Sequence, residues 1–127
     1  EFSLNLEQDL NSKKIYRSIE IVYGLRNFIG NANKFSKSKV FINLKSDNDF
    51  TEITIEDDGN GYPSDILSKI GEPYLKSSDK NSGLGLGLFI GKTLLEKNFA
   101  IVNCWNSQTR SGAEVTIKWK NKDLFNL

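Results

Sequence analysis

Ile53-Thr54-Ile55-Glu56-Asp57-Asp58-Gly59-Asn60-Gly61 alternates apolar and polar residues and then breaks into acid and glycine. The alternation predicts a strand in which Ile53, Ile55 and Asp57 share a face, so the apolar side of that strand ends on a carboxylate. A carboxylate placed there needs a partner. One reading of Asp57-Asp58-Gly59-Asn60-Gly61 is a turn whose Asp and Gly residues simply satisfy positive φ. The other is that Asp57 accepts a hydrogen bond from an exocyclic amino group, while Gly59 and Gly61 let a flat base approach the backbone. Such an acceptor selects adenine, because guanine presents a carbonyl where adenine presents its amino group.

Two further segments flank this one. Upstream, apolar residues at Ile15, Ile19, Val22, Leu25, Ile29 and Ala32 recur at three- and four-residue steps and predict a helix ending near Phe35-Ser36. Asn27, Asn31 and Lys34 lie on one face of that helix. They read either as a solvated face or as a site, and asparagine's poor helix propensity favours the site. Amide oxygens beside a lysine suit a magnesium ion that bridges phosphates. Downstream, Gly83-Leu84-Gly85-Leu86-Gly87-Leu88 opens a helix predicted from about Gly85 to Lys97, where bare backbone N–H groups and the positive helix end favour an anion, phosphate above all. Gly91-Lys92-Thr93 is not a P-loop, because the glycine that motif requires is Leu86, and the dinucleotide fingerprint fails at Ile90.

The rest of the chain completes an α+β pattern. Phe2, Leu4 and Leu6 predict an edge strand, and Val40, Ile42 and Leu44 another before the Asn48-Asp49 turn. Pro63 opens a short helix through Ile70, residues 71–84 read as a long mobile loop, and strands at about 99–106 and 112–119 follow. The expected architecture is one domain over residues 1–127, a two-layer sandwich with a mixed five-stranded sheet and three helices on one face. With 127 residues, a net charge of +1 and one cysteine, the chain has no global field for nucleic acid and no disulfide. The absence of histidine excludes Ser-His and Cys-His pairs, His-ligated metals and a His base. No apolar run is long enough to span a bilayer and no signal-peptide pattern opens the chain. The start at Glu1-Phe2, without methionine, reads as a piece of a larger protein with a cloning remnant.

In order along the chain, these segments resemble sensor histidine kinases. Asn27-Phe28-Ile29-Gly30-Asn31-Ala32-Asn33-Lys34-Phe35-Ser36 is similar to their N box, Asp57-Asp58-Gly59-Asn60-Gly61 to the G1 box, Gly83 through Leu88 to the G2 box and Gly112-Ala113-Glu114-Val115 to the final glycine box. Ile70-Gly71-Glu72-Pro73-Tyr74 and Gly85 through Glu96 resemble the redox-responsive, RegB-type branch. The resemblance implies the Bergerat ATP-binding fold, with ATP and Mg²⁺ as cofactors. It makes Asp57 the adenine acceptor, Asn31 the magnesium ligand, Asn27 and Lys34 phosphate contacts, and Gly83, Leu84, Gly85, Leu86, Gly87 and Leu88 the phosphate segment. Residues 74–82 become an ATP lid, with Lys76 and Lys80 as phosphate contacts, and Phe35, Gly59, Gly61 and Thr116 complete the binding set. Phe35 stands where many relatives carry Tyr, which keeps stacking and removes a hydroxyl.

The implied activity is transfer of the γ-phosphoryl group to a histidine, and the acceptor must lie outside this sequence because it holds none. The implied partners are a histidine-bearing dimerisation domain and, downstream, a response regulator. The fragment itself is expected to be monomeric and cytoplasmic, within a homodimeric parent whose anchoring in an inner membrane stays open. The alternative is another Bergerat-fold ATPase or a protein-serine kinase of the anti-sigma-factor or dehydrogenase-kinase type. Cys104, between Ile101-Val102 and Trp105, reads as a core residue in preference to a redox switch.

Overall fold

The computed structural model describes residues 2–6, 19–67 and 84–124. The expected helix start at 15–18, the helix end at 68–70 and the loop up to residue 83 lie outside them. In chain order the elements are β1 (Phe2–Leu6), α1 (Ile19–Phe35), β2 (Val40–Ser46), β3 (Phe50–Asp57), α2 (Ser64–Leu67), α3 (Leu84–Lys97), β4 (Ile101–Asn106), β5 (Ala113–Lys120) and α4 (Asn121–Leu124). Strands β2, β3, β5 and β4 form an antiparallel sheet in that spatial order, and β1 joins β2 in parallel at the edge. The β2–β3 hairpin is set by Asp47, whose Oδ1 accepts from Asp49 N and Phe50 N, each at 2.8 Å. That is the turn-forming habit of Asp acting at the Asn48-Asp49 position.

One face of the sheet carries the core. Val40, Ile55, Val102, Val115, Ile117 and Trp119 meet Phe28 and Ala32 of α1, Ile66 of α2 and Leu88 and Leu95 of α3, all buried. The buried line of α1 is Gly24, Phe28 and Ala32. It is rotated from the apolar stripe read in the sequence, whose Ile19 and Val22 are exposed. Glycine explains the rotation. A Cβ on Gly24 would stand 2.7 Å from Leu95 Cγ, and one on Gly91 would stand 2.8 Å from the Phe28 ring, so α1 and α3 approach through positions without side chains. Gly91, which superficially mimics a phosphate loop, is a helix-packing residue.

Two expectations are corrected. Among the described residues there are four helices where three were expected, because Asn121–Leu124 closes one turn after β5. Asn121 anchors it: its N–H donates to Asp49 O at 2.8 Å, its Nδ2 to Asp47 O at 2.7 Å, and its Oδ1 accepts from Thr51 Oγ1 at 2.7 Å. A single turn carries no readable period. Strand β4 starts at Ile101, not at 99, because α3 ends in a Schellman motif: Ala100 N donates to Leu95 O and Phe99 N to Glu96 O. Phe99 takes the left-handed position of that motif, φ 71°, where glycine is the ordinary occupant.

Candidate functional site

Asp57 ends β3 at the mouth of a cavity between the sheet and α1, and it is buried. Its Oδ1 accepts from Gly59 N at 2.8 Å and Ala113 N at 3.2 Å, which leaves Oδ2 as the acceptor for a ligand. Burial raises the Asp57 pKa, the two N–H donors oppose that shift, and the charges of Asp58 and Glu56 add to it. The walls beside it are apolar: Ile55 and Val115 from the sheet, Phe28, Ala32 and Phe35 from α1, and Tyr62 opposite. A carboxylate at one end of an apolar slot, with a turn of small residues beside it, fits a flat heterocycle bearing an amino group.

The glycines around Asp57 have distinct reasons. Gly112 lies behind it, and a Cβ there would stand 1.9 Å from Asp57 O and 2.3 Å from Asp57 Oδ1. Gly59 lies beneath α1, with Phe35 O at 2.1 Å from where its Cβ would sit, so it seats the end of α1 on the loop and does not face a ligand. Gly61 lines the cavity and has a φ of +81°. Asp58 faces away and holds the α1–β2 connection. It accepts from the Ser38 hydroxyl at 2.6 Å and from the N–H groups of Lys37 at 2.8 Å, Ser38 at 3.0 Å and Lys39 at 3.2 Å. The Ser38 hydroxyl first, and then these N–H groups, hold its carboxyl well below the usual carboxylate range.

Asn31 also lines the cavity and faces α3, its Nδ2 lying 3.2 Å from where a Gly87 Cβ would be. That Nδ2 is buried without a hydrogen-bond partner. An orphaned amide is costly unless a ligand completes it, and rotation of the amide by half a turn would present Oδ1 instead. No group of three or more Asp, Glu or Cys residues able to hold a metal exists among the described residues. With the amide so turned, the single oxygen of Asn31 fits Mg²⁺, which keeps most of its shell for water and phosphate oxygens. Asn27 is half-buried on the same side, and one N–H of its Nδ2 donates to Tyr23 O at 2.8 Å, which fixes the amide and leaves its oxygen and second N–H for a ligand. Lys34 is exposed, with Nζ 5.3 Å from the Phe35 ring centre.

The glycine-rich segment opens α3, as expected, one residue earlier than the sequence suggests. Its backbone is already helical from Leu84, so Leu84, Gly85, Leu86 and Gly87 supply the first turn of α3 and that turn's free N–H groups. Leu88 is fully buried in the core and contributes no side chain to the cavity. Thr116 is likewise corrected: Val115 and Ile117 point into the core, so by alternation Thr116 faces the opposite side of the sheet, between Thr54 and Asn103. Ala113 and Val115 take the place given to it. Lys76, Lys80 and Gly83, with the lid, lie outside the described residues. The sequence reading passed over Tyr62, Pro63 and Asn106. Only the two-residue alternation of β5 could have pointed to Ala113 and Val115 in place of Thr116. Cys104 is packed against the Tyr62 side, and burial pushes its thiol up to about 12, which makes it a poor nucleophile.

The sequence model of the histidine kinase-, DNA gyrase B- and HSP90-like ATPases matches residues 17–123. The chain belongs to that family. Among the curated relatives of this ATPase domain is the sensor histidine kinase RegB of Cereibacter sphaeroides, 38% identical over 124 residues that take in 83% of this chain and 27% of RegB. Sporulation kinase A of Bacillus subtilis is 30% identical over 83 residues, 65% of this chain and 13% of that protein. The domain thus spans well under a third of the length of these relatives. Among solved structures, the mycobacterial sensor histidine kinase MprB superposes with a TM-score of 0.75 at 22% identity, covering 94% of this chain and 82% of that one. Full-length ShkA in complex with AMPPNP gives 0.74 at 24% identity, covering 94% and 25%. The ATPase domain has the α+β fold of histidine kinase catalytic domains.

Proposed function

We propose that this ATPase domain, a Bergerat-type sandwich, is the catalytic part of a sensor histidine kinase, which holds Mg²⁺–ATP and donates the γ-phosphoryl group to a histidine elsewhere. The observation that carries the reading is Asp57, a buried carboxylate with Oδ1 saturated by two backbone N–H groups and Oδ2 left for an adenine amino group. The cavity walls take the base, and the first turn of α3 lies on the Asn31 side, where its N–H groups favour phosphate oxygens. Asn31 would hold Mg²⁺, which when bound draws charge from the phosphate oxygens and stabilises the loose transition state. Lys34 and the oxygen of Asn27 remain contacts for the triphosphate.

The sequence contains no histidine, so the acceptor belongs to a dimerisation domain, with a response regulator as the next recipient. The relatives carry sensor-kinase and sporulation-kinase names, which does not favour the anti-sigma-factor or dehydrogenase-kinase alternative. No helix among the described residues is long and apolar enough to cross a membrane; use of ATP supports a cytoplasmic position for the domain. The test supplies a separate histidine-bearing dimerisation domain and follows transfer of labelled γ-phosphate. Asn31→Ala should lower transfer about 10²-fold while the fold persists, and it should lose the gain in nucleotide affinity that Mg²⁺ gives the parent. If Mg²⁺ helps the variant as much as the parent, Asn31 is not the ligand.

A further inference from the structure

Asn106, the last residue of β4, lies outside the N, G1 and G2 segments and makes no part of the cavity lining. Its side chain nevertheless acts as a piece of backbone. Oδ1 accepts from Tyr62 N at 2.6 Å, and Nδ2 donates to Tyr62 O at 3.2 Å, across 44 residues of sequence. The carboxamide thereby pairs with both polar groups of one residue, as a neighbouring strand would. Tyr62 sits between Gly61 and Pro63, and all three line the cavity opposite α1. Pro63 has no N–H to offer, and the backbone of Tyr62 is held by the two hydrogen bonds with Asn106, while its hydroxyl pairs with the Cys104 thiol.

Gly61 and Asn106 are also matched in shape. A Cβ on Gly61 would stand 2.7 Å from Asn106 Oδ1 and 3.0 Å from its Cγ, and Gly61 has φ +81°. The glycine therefore has two separate causes: its backbone conformation, and the amide packed against it. We propose that Asn106 is a positioning residue that fixes the Gly61–Pro63 wall of the site at the distance a heterocyclic base requires. The proposal rests on the nucleotide reading above. It assigns Asn106 to the base end of the ligand, because its hydrogen bonds go to Tyr62 and its amide packs on Gly61, whereas the phosphate end is built on α1 and α3.

The test uses Asn106→Ala, at an exposed strand end where the fold should survive. Three readouts are compared: adenosine binding, Mg²⁺–tripolyphosphate binding and hydrogen exchange of the Tyr62 amide. The variant should bind adenosine about tenfold or more weakly, the scale of two lost hydrogen bonds, and tripolyphosphate as the parent does. Exchange at Tyr62 should accelerate at least as much. A second arm measures coupling: Gly61→Ala should weaken adenosine binding less on the Asn106→Ala background than in the parent, because one of its two causes has been removed. Adenosine affinity within twofold of the parent's, or equal losses at both ends of the ligand, would overturn the proposal. A parent that binds no adenosine would overturn the nucleotide reading instead, and Tyr62 exchange would still decide whether Asn106 holds the turn.

Discussion

Asp57 and Asp58 are adjacent, and their surroundings drive them in opposite directions. Asp58 is held below the usual carboxylate range by the Ser38 hydroxyl and a fan of N–H groups, so its ionised form stabilises the α1–β2 connection. That contribution is present above the ordinary carboxylate range and is lost as pH falls below it. Asp58→Asn should therefore be less stable than the parent in urea at pH 7, and the gap should be smaller at about pH 3, where it has begun to close, vanishing only below the lowered value of Asp58. A gap equal at both values would contradict the assignment. Asp57 has a raised pKa, so its ionisation works against the fold as pH rises from the ordinary range through the raised value. Asp57→Asn keeps an Oδ1 acceptor for Gly59 and Ala113, and the variant should match or exceed the parent's stability at pH 7 in the same urea titrations. A loss above about 1 kcal/mol would mean that Oδ2 has a structural partner. The acceptor role of Asp57 was legible because the strand's alternation runs straight into it. The role of Asp58 was not, since its partners lie on a connection 20 residues upstream that no spacing in the sequence signals.

At the scale of elements, helices and strands were readable where a period repeats and unreadable where tertiary contacts decide. Helices α1 and α3 carry glycines that propensity alone would penalise, and their neighbours separate two cases. At Gly30 a Cβ would meet nothing within 4 Å, so Gly30→Ala should stabilise the domain by up to about 1 kcal/mol. Gly91 has Phe28 at 2.8 Å, and Gly91→Ala should destabilise by about 1–2 kcal/mol, overpacking exceeding the propensity gain. Thermal unfolding of both variants checks this, and shifts of the same sign would refute the account of α1–α3 contact. Thr116 and Leu88 failed as site residues for a related reason. A motif gives positions, whereas the strand's alternation and the helix's buried side decide which side chains reach the cavity.

Over the whole molecule, the three separated segments meet because β3 lies next to β5 in the sheet and α1 crosses above them. Asp57 then faces the slot from below, Gly112 and Ala113 close in from β5, and Asn31 with the start of α3 forms the far end. Family membership was legible from the order of the glycine and asparagine segments. The Asn106 contact was not, because a hydrogen-bonded side chain at the end of an edge strand leaves no periodic trace. The central claim is that Asp57 selects an adenine nucleotide. Calorimetric titration of ATP and GTP into the parent and Asp57→Asn tests it most directly. ATP should bind the parent more tightly than GTP, and the substitution should weaken ATP by more than about 1.5 kcal/mol, the scale of a lost charge-assisted hydrogen bond. Equal affinities for the two nucleotides, or an unaltered ATP affinity in the variant, would contradict it.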